Sequence, residues 1–228
     1  MKQYALIVAG GSGTRMQTTL PKQFIKIGNQ PILMHTIAKY YSYSPDIQII
    51  VVLPENQFIT WQNLIKEFKF SIPHQLVAGG ALRIDSVRNG LQVIDNEESI
   101  VAIHDGVRPF VSTTIIAESF ELATLKGNAI AAVGLKDSIR KIAGETTVAM
   151  NRSEYFLIQT PQTFQTKLIK SAYQQSDIQS LTDDASVAEQ AGQTIHLLEG
   201  DYRNIKITTQ EDLLVAEAFW RAEHNLSF

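Results

Sequence analysis

The chain contains no cysteine. That absence excludes a disulfide framework, a thiolate nucleophile and any thiolate-ligated metal, and it gives no sign of an oxidising compartment. Excess positive charge is missing too. Lys and Arg number 20 against 23 Asp and Glu, and the formal net charge of −3 provides no electrostatic footprint for nucleic acid. The apolar runs, such as Ile47 to Leu53, are strand-sized, so no membrane span is expected. Met1-Lys2-Gln3 opens directly into such a run, too short for a signal-peptide core, which predicts a cytoplasmic protein. Internal repeats, low-complexity tracts and long linkers are also lacking. What is present is 228 residues, 44% hydrophobic and 19% charged, enough to bury a substantial core in one α/β domain spanning residues 1–228.

The most informative stretch comes first. Tyr4 to Ala9 is apolar and stops at Gly10-Gly11-Ser12-Gly13, which predicts a buried strand feeding a loop with almost no side chains. Such a loop can turn successive backbone N–H groups inward and cradle phosphate oxygens. Arg15 and Lys22 add two positive charges on either side of the turn that Pro21 forces. A P-loop is excluded because no Lys-Ser/Thr pair follows at the required spacing. The dinucleotide fingerprint fails because Met16 stands where its third glycine would be. The combination points to a polyphosphate site of another kind.

Along the chain, Pro31 opens a helix toward Tyr43, Ile47 to Leu53 reads as a strand covered on both faces, and Phe58 to Phe68 shows helical spacing with Trp61 in the core. A strand over Ile72 to Ala78 closes at Gly79-Gly80. There a second glycine loop leads into a helix carrying Arg83, Asp85, Ser86 and Arg88, repeating the geometry of the first. In a parallel sheet, loops at the carboxyl ends of strands face one crevice. Asp105, at the end of a strand from Ser99, is placed to hold a divalent metal or a ribose hydroxyl there; His104 beside it reads as a satisfied buried imidazole. Ser112 caps a helix to Lys126, and Ala129 to Leu135 is a further strand.

Residues 136–156 alternate about a Gly144-Glu145 turn, which predicts a β-hairpin. A two-stranded ribbon is marginal alone, so it should lie against something, with a second subunit as the expected support. Helices are expected over Lys167 to Gln175, over Asp183 to Ala191 with Thr182 as N-cap, and over Gln210 to His224; a strand is expected over Thr194 to Leu198.

Taken together, Ala9-Gly-Gly-Ser-Gly-Thr-Arg-Met16 with Leu20-Pro-Lys-Gln23, Gly79-Gly80 with Arg83 and Ser86-Val87, His104-Asp-Gly-Val-Arg-Pro109, Gln159-Thr-Pro-Gln162, Leu181-Thr-Asp-Asp-Ala-Ser186 and Asn204-Ile-Lys206 resemble the cytidylyltransferases that activate sugar-alcohol phosphates. The resemblance implies a Rossmann-like nucleotidyltransferase fold of the α/β class, with a mostly parallel sheet, helices on both faces and a protruding β-arm at about 136–156. It implies a homodimer joined through that arm. The implied reaction is cytidylyl transfer from CTP to 2-C-methyl-D-erythritol 4-phosphate, releasing pyrophosphate, with Mg²⁺ as cofactor. Ribitol 5-phosphate is the alternative acceptor, and a non-catalytic nucleotide-binding homologue the alternative without chemistry. By the same resemblance Arg15 and Lys22 are catalytic, while Ala9, Gly10, Gly11, Gly13, Gly80, Ala81 and Ser86 bind the nucleotide. Asp105 lies near substrate and metal, and Ser138, Arg152, Thr182 and Lys206 position the sugar phosphate. Ala81 departs from the acidic residue often found in such enzymes, and Ser138 replaces a threonine of the arm while keeping its hydroxyl.

Overall fold

Alternation along the first strand sets up both faces of the molecule. The structure is a computed structural model that describes residues 1–10, 20–175 and 181–226. In β1 (Lys2–Val8), Ala5 and Ile7, continued by Ala9, enter one hydrophobic cluster, whereas Tyr4, Leu6 and Val8 enter another on the opposite face. Fully burying Leu6 or Ile7 contributes about 1.5–3 kcal/mol each relative to exposure.

A 3₁₀ turn at Lys22–Phe24 and the two-residue strands β2 (Lys26–Ile27) and β3 (Gln30–Pro31) follow the first loop. Then come α1 (Ile32–Tyr43), β4 (Gln48–Leu53), α2 (Phe58–Glu67), β5 (Gln75–Ala78), α3 (Arg83–Gln92), β6 (Ser99–Asp105), α4 (Thr113–Lys126) and β7 (Asn128–Gly134). The ribbon β8 (Ile139–Ala143) and β9 (Thr146–Met150) leads to β10 (Phe156–Gln165), α5 (Thr166–Tyr173), α6 (Asp184–Gln190), β11 (Leu197–Glu199) and α7 (Gln210–Glu223). The main sheet has the order β11-β7-β10-β6-β1-β4-β5. Every pairing in it is parallel except those of β10, which runs antiparallel to both β6 and β7. Among the described residues no helix is long and apolar enough to cross a membrane.

From β1 the chain steps outward to β4 and β5, then returns to the other side of β1 as β6, so the strand order reverses between β1 and β6. Open α/β sheets carry their crevice at such a point, outside the carboxyl ends of the strands. Register lines those ends up: Val8 lies opposite Asp105 and Val52, and Leu53 opposite Ala78. At the other ends of the strands, Lys2 pairs with Ser99 and Ile50 with Gln75, so the segments 44–47, 71–74 and 95–98 sit on the far rim.

Several boundaries differ from expectation, for local reasons. The strand before the second glycine loop starts only at Gln75, because Pro73 precedes it and His74 is engaged with the Trp61 indole (3.0 Å) and the Ile72 carbonyl (2.8 Å). β11 covers Leu197–Glu199 rather than starting at Thr194, since the Asn128 amide takes over the pairing there, donating to the Thr194 carbonyl (2.9 Å) and accepting from the His196 N–H (2.9 Å). The cap of α6 is Asp183, not Thr182: Asp183 Oδ1 accepts from the Ser186 N–H at 3.1 Å.

The ribbon turns at Gly144, whose φ of +62° suits glycine. It exposes apolar side chains, with Ile142 79% and Val148 52% accessible. At its base Arg152 donates to the Lys136 carbonyl, and the Lys136 ammonium lies 3.5 Å from the centre of the Tyr202 ring.

Candidate active site

The end of β1 is held in place by a side chain from the turn that follows the first loop. Gln23 is fully buried, and its amide donates to the Ala9 carbonyl at 2.8 Å and to Gln57 Oε1 at 2.6 Å. Its neighbour Phe24 stacks on Trp61 with ring centres 6.0 Å apart, anchoring the other side of the turn. Lys22 thus projects from a turn anchored by the two residues that follow it.

The second glycine loop is tightened by α3. Ser86 Oγ accepts from the Gly80 N–H and donates to the Leu82 carbonyl, both at 3.1 Å, while Asp85 Oδ2 accepts from the Leu82 N–H at 3.2 Å. A side chain at position 80 would place its Cβ 2.3 Å from that of Asp85, so only glycine fits. The loop presents the backbone of Gly80 and Ala81 across from Ala9 and Gly10, and a cleft of about 410 Å³ lies between them. Lys22, Gln23, Arg83, Ser86, Asp105 and Lys206 line it as well. A second cavity of about 400 Å³ shares Arg83, Asp105 and Lys206 with the first and extends to Arg108, Thr160 and Thr182.

Asp105 stands where the two cavities meet. Its Oδ2 pairs with Lys206 Nζ at 3.1 Å and Arg108 Nε at 3.2 Å; its Oδ1 has Arg83 Nε at 3.7 Å. Burial alone would raise the pKa of this carboxyl, but Lys206, Arg83 and Arg108 outweigh burial and hold it well below the usual carboxylate range. Arg83 is fixed in turn by the fully buried Asp184 through two hydrogen bonds of 3.0 and 2.6 Å. Burial would lower the Arg83 pKa, yet the adjoining Asp184 and Asp105 charges raise it. Lys206 sits between two buried anchors. Asn204 donates to the Thr160 carbonyl at 2.8 Å and accepts on its own carbonyl from Arg108 at 2.7 Å, and the Ile207 N–H donates to the Val107 carbonyl at 3.0 Å.

His104 is fully buried, in keeping with its reading as a structural imidazole. Its Nε2 donates to the Arg108 carbonyl, and its Nδ1 accepts from the Thr160 hydroxyl, which itself accepts from the Asp105 N–H; all three distances are 3.1 Å.

The structure therefore brings Ala9, Gly10, Lys22, Gly80, Ala81, Ser86, Asp105 and Lys206 to one cleft and Thr182 to the cavity beside it. Gly11, Gly13 and Arg15 lie outside the described residues. Ser138 and Arg152 flank the two strands of the ribbon, one before β8 and one after β9, and do not line either cavity. Sequence reasoning missed Gln23, Arg108, Gln162 and Asp184 as parts of the site. Each lies inside a motif already singled out, but burial of these polar side chains was the missing signal.

Among the described residues no three His, Asp or Glu side chains converge as metal ligands. Asp105 nonetheless fits a hard cation. Among the described residues no cation lies closer to its Oδ1 than 3.7 Å, and Mg²⁺ characteristically takes one or two carboxylates and fills its shell from phosphates and water.

The family model for 2-C-methyl-D-erythritol 4-phosphate cytidylyltransferase matches residues 3–222. The enzyme of that name from Bacteroides thetaiotaomicron is 44% identical over 218 residues, covering 96% of this chain and 99% of the relative. That from Geotalea uraniireducens is 41% identical over 229 residues, covering 97% and 98%. Among solved structures, 4-diphosphocytidyl-2C-methyl-D-erythritol synthase of Anaerococcus prevotii is similar with a TM-score of 0.84 at 30% identity, covering 96% of each chain. The cytidylyltransferase of Thermus thermophilus has a TM-score of 0.77 at 29% identity, covering 97% of this chain and all of that one.

Proposed function

Because the chain belongs to the 2-C-methyl-D-erythritol 4-phosphate cytidylyltransferase family, we propose that its larger cleft binds CTP and the adjoining cavity binds the sugar-alcohol phosphate. The chain is a nucleotidyltransferase of isoprenoid biosynthesis. It transfers the cytidylyl group of CTP to 2-C-methyl-D-erythritol 4-phosphate, giving 4-diphosphocytidyl-2-C-methyl-D-erythritol and pyrophosphate.

Charge accounts for the mechanism. A phosphate monoester has its second pKa near 6, so the acceptor is mostly a dianion at pH 7 and is itself the nucleophile. Its oxygen forms a bond to the α-phosphorus of CTP while the bond from that phosphorus to the bridging oxygen breaks, and pyrophosphate leaves with the electron pair. No side chain has to remove a proton. What the protein supplies is placement of two anions against each other and compensation of the charge that develops on the leaving group. Lys22, the Gly10 N–H and Arg15 act on the triphosphate. The backbone of Ala9, Gly80 and Ala81, with Ser86, reads the cytosine. Lys206 and Thr182 orient the acceptor. Asp105 would hold Mg²⁺, which would supply further charge neutralisation when bound.

Arg152 and Ser138 complete the acceptor site from a second copy of the chain, the two copies being joined through the ribbon. The exposed apolar side chains of the ribbon support this arrangement, because burial against a partner is what orders an isolated two-stranded element. The reaction is cytoplasmic in this reading.

The observation that carries the proposal is the convergence of Lys22, Asp105 and Lys206, from three distant parts of the chain, on a cleft walled by two glycine loops. The test is pyrophosphate release with CTP and each acceptor in turn. Turnover with 2-C-methyl-D-erythritol 4-phosphate well above that with ribitol 5-phosphate, and with CTP well above ATP, is expected. Preference for ribitol 5-phosphate, or equal use of ATP, would overturn the assignment of the pockets.

A further inference from the structure

Asp184 and Tyr173 are buried, titratable and unused by the mechanism above. Asp184 is fully buried, yet it does not hold its own helix; Asp183 caps α6. Its carboxylate instead faces two donors from other elements. Arg83 of α3 binds it with both terminal nitrogens, and the Tyr173 hydroxyl of α5 donates to its Oδ1 at 2.5 Å. Gln162 fastens the same turn by donating to Asp183 Oδ2 at 3.0 Å and accepting from the Ala185 N–H at 2.8 Å. A bidentate carboxylate fixes a guanidinium in both position and plane. Arg83 is held that way in the wall common to both cavities, with Nε turned to Asp105 at 3.7 Å.

Resting on the function proposed above, we propose that Asp184 and Tyr173 are positioning residues for the transfer step, fixing the Arg83 guanidinium between the nucleotide and the acceptor. Tyr173 acts only through Asp184, and Asp184 only through Arg83. The pairing also keeps Asp105 available. Without Asp184, Arg83 is released to close on the Asp105 carboxylate 3.7 Å away, adding a third tight cation to a group already paired with Lys206 and Arg108. Displacement of a positioning group by about 1 Å can cost on the order of 10²-fold in rate.

The test compares Tyr173→Phe, Asp184→Asn and the double variant, using CTP and the methylerythritol phosphate in the wild-type assay. A wild-type enzyme without cytidylyl transfer would refute the functional reading itself, separately from this inference. With the wild type active, Tyr173→Phe should melt near the wild-type temperature, keep its KM for CTP and lose several-fold in kcat. Asp184→Asn should lose on the order of 10² in kcat. The double variant should be no slower than Asp184→Asn alone, since the hydroxyl has nothing left to orient. A purely structural role would instead lower melting temperatures while leaving kcat per folded molecule unchanged. That result, wild-type kcat in Tyr173→Phe, or multiplicative losses in the double variant would overturn the proposal. Should Asp184→Asn fail to fold, Tyr173→Phe decides alone.

Discussion

Acidification should unfold this protein partly through His104, by an amount that its surroundings allow to be worked out. The ring is fully buried, lies edge-on to Tyr40 with centres 5.2 Å apart, and donates from Nε2 to a carbonyl, so the neutral form accepts at Nδ1. Burial is the largest influence on it. Arg108 and Lys206 also disfavour a second positive charge, Asp105 and the Arg108 carbonyl oppose them, and the net effect lowers the pKa to about 4 from 6.5. A folded-state value below the unfolded one means that the unfolded chain binds the proton more readily. Stability from this group is therefore fully present above about pH 6.5 and is lost as pH falls toward 4. The whole difference corresponds to about 3 kcal/mol, of which about 2 kcal/mol disappears between pH 7.5 and pH 5. His104→Gln removes the titration while retaining an amide donor for the Arg108 carbonyl. Urea unfolding of both proteins at pH 7.5 and pH 5 isolates the contribution of His104, because every other group is common to the two. The wild type should lose about 2 kcal/mol more than the variant over this interval. Equal losses would show that the buried imidazole is not what acid attacks.

Lys22→Ala and Arg15→Ala should each reduce kcat by about 10²–10³ with an unchanged melting curve, as loss of a charge-stabilising donor does elsewhere; near-normal turnover in a stable variant would remove that residue from catalysis. Mixing an Arg152→Ala chain with a Lys22→Ala chain should restore part of the activity, because a mixed dimer with the ribbon acting in trans has one site with both residues intact; no recovery despite verified mixed dimers would place Arg152 in its own subunit's chemistry or in none. Asp183→Ala should lower stability by about 1 kcal/mol through loss of the α6 cap, read from urea midpoints, whereas Thr182→Ala should leave stability near wild type.

Legibility followed side-chain chemistry. The apolar β1, the two glycine loops and Asp105 at a strand end are visible because punctuation by glycine after an apolar run has few physical meanings. β10 was the hard element. Its middle, buried without interruption from Gln159 to Phe164, carries Gln159, Thr160, Gln162 and Thr163, polar residues whose partners lie far away in the chain, and Pro161 interrupts the pattern. Asp184 shows the same limit, since its partner Arg83 is 101 residues away and nothing local separates it from Asp183, which does cap the helix. Ranges for α4 and α7 were close, because Ser112 and Thr209 cap through hydrogen bonds to residues three further on.

The two rims of the sheet divide the chain into regions with very different tolerance for engineering. Every cleft residue from Ala9 to Lys206 gathers at the carboxyl ends of the parallel strands, whereas segments 44–47, 71–74 and 95–98 occupy the opposite edge, separated from the chemistry by the length of β1, seven residues. A reporter fluorophore or an affinity handle introduced at Glu97, exposed on that far edge, would leave the reaction centre undisturbed. Surface immobilisation through the same point would present the substrate entrance to solution, with the sheet itself serving as the spacer.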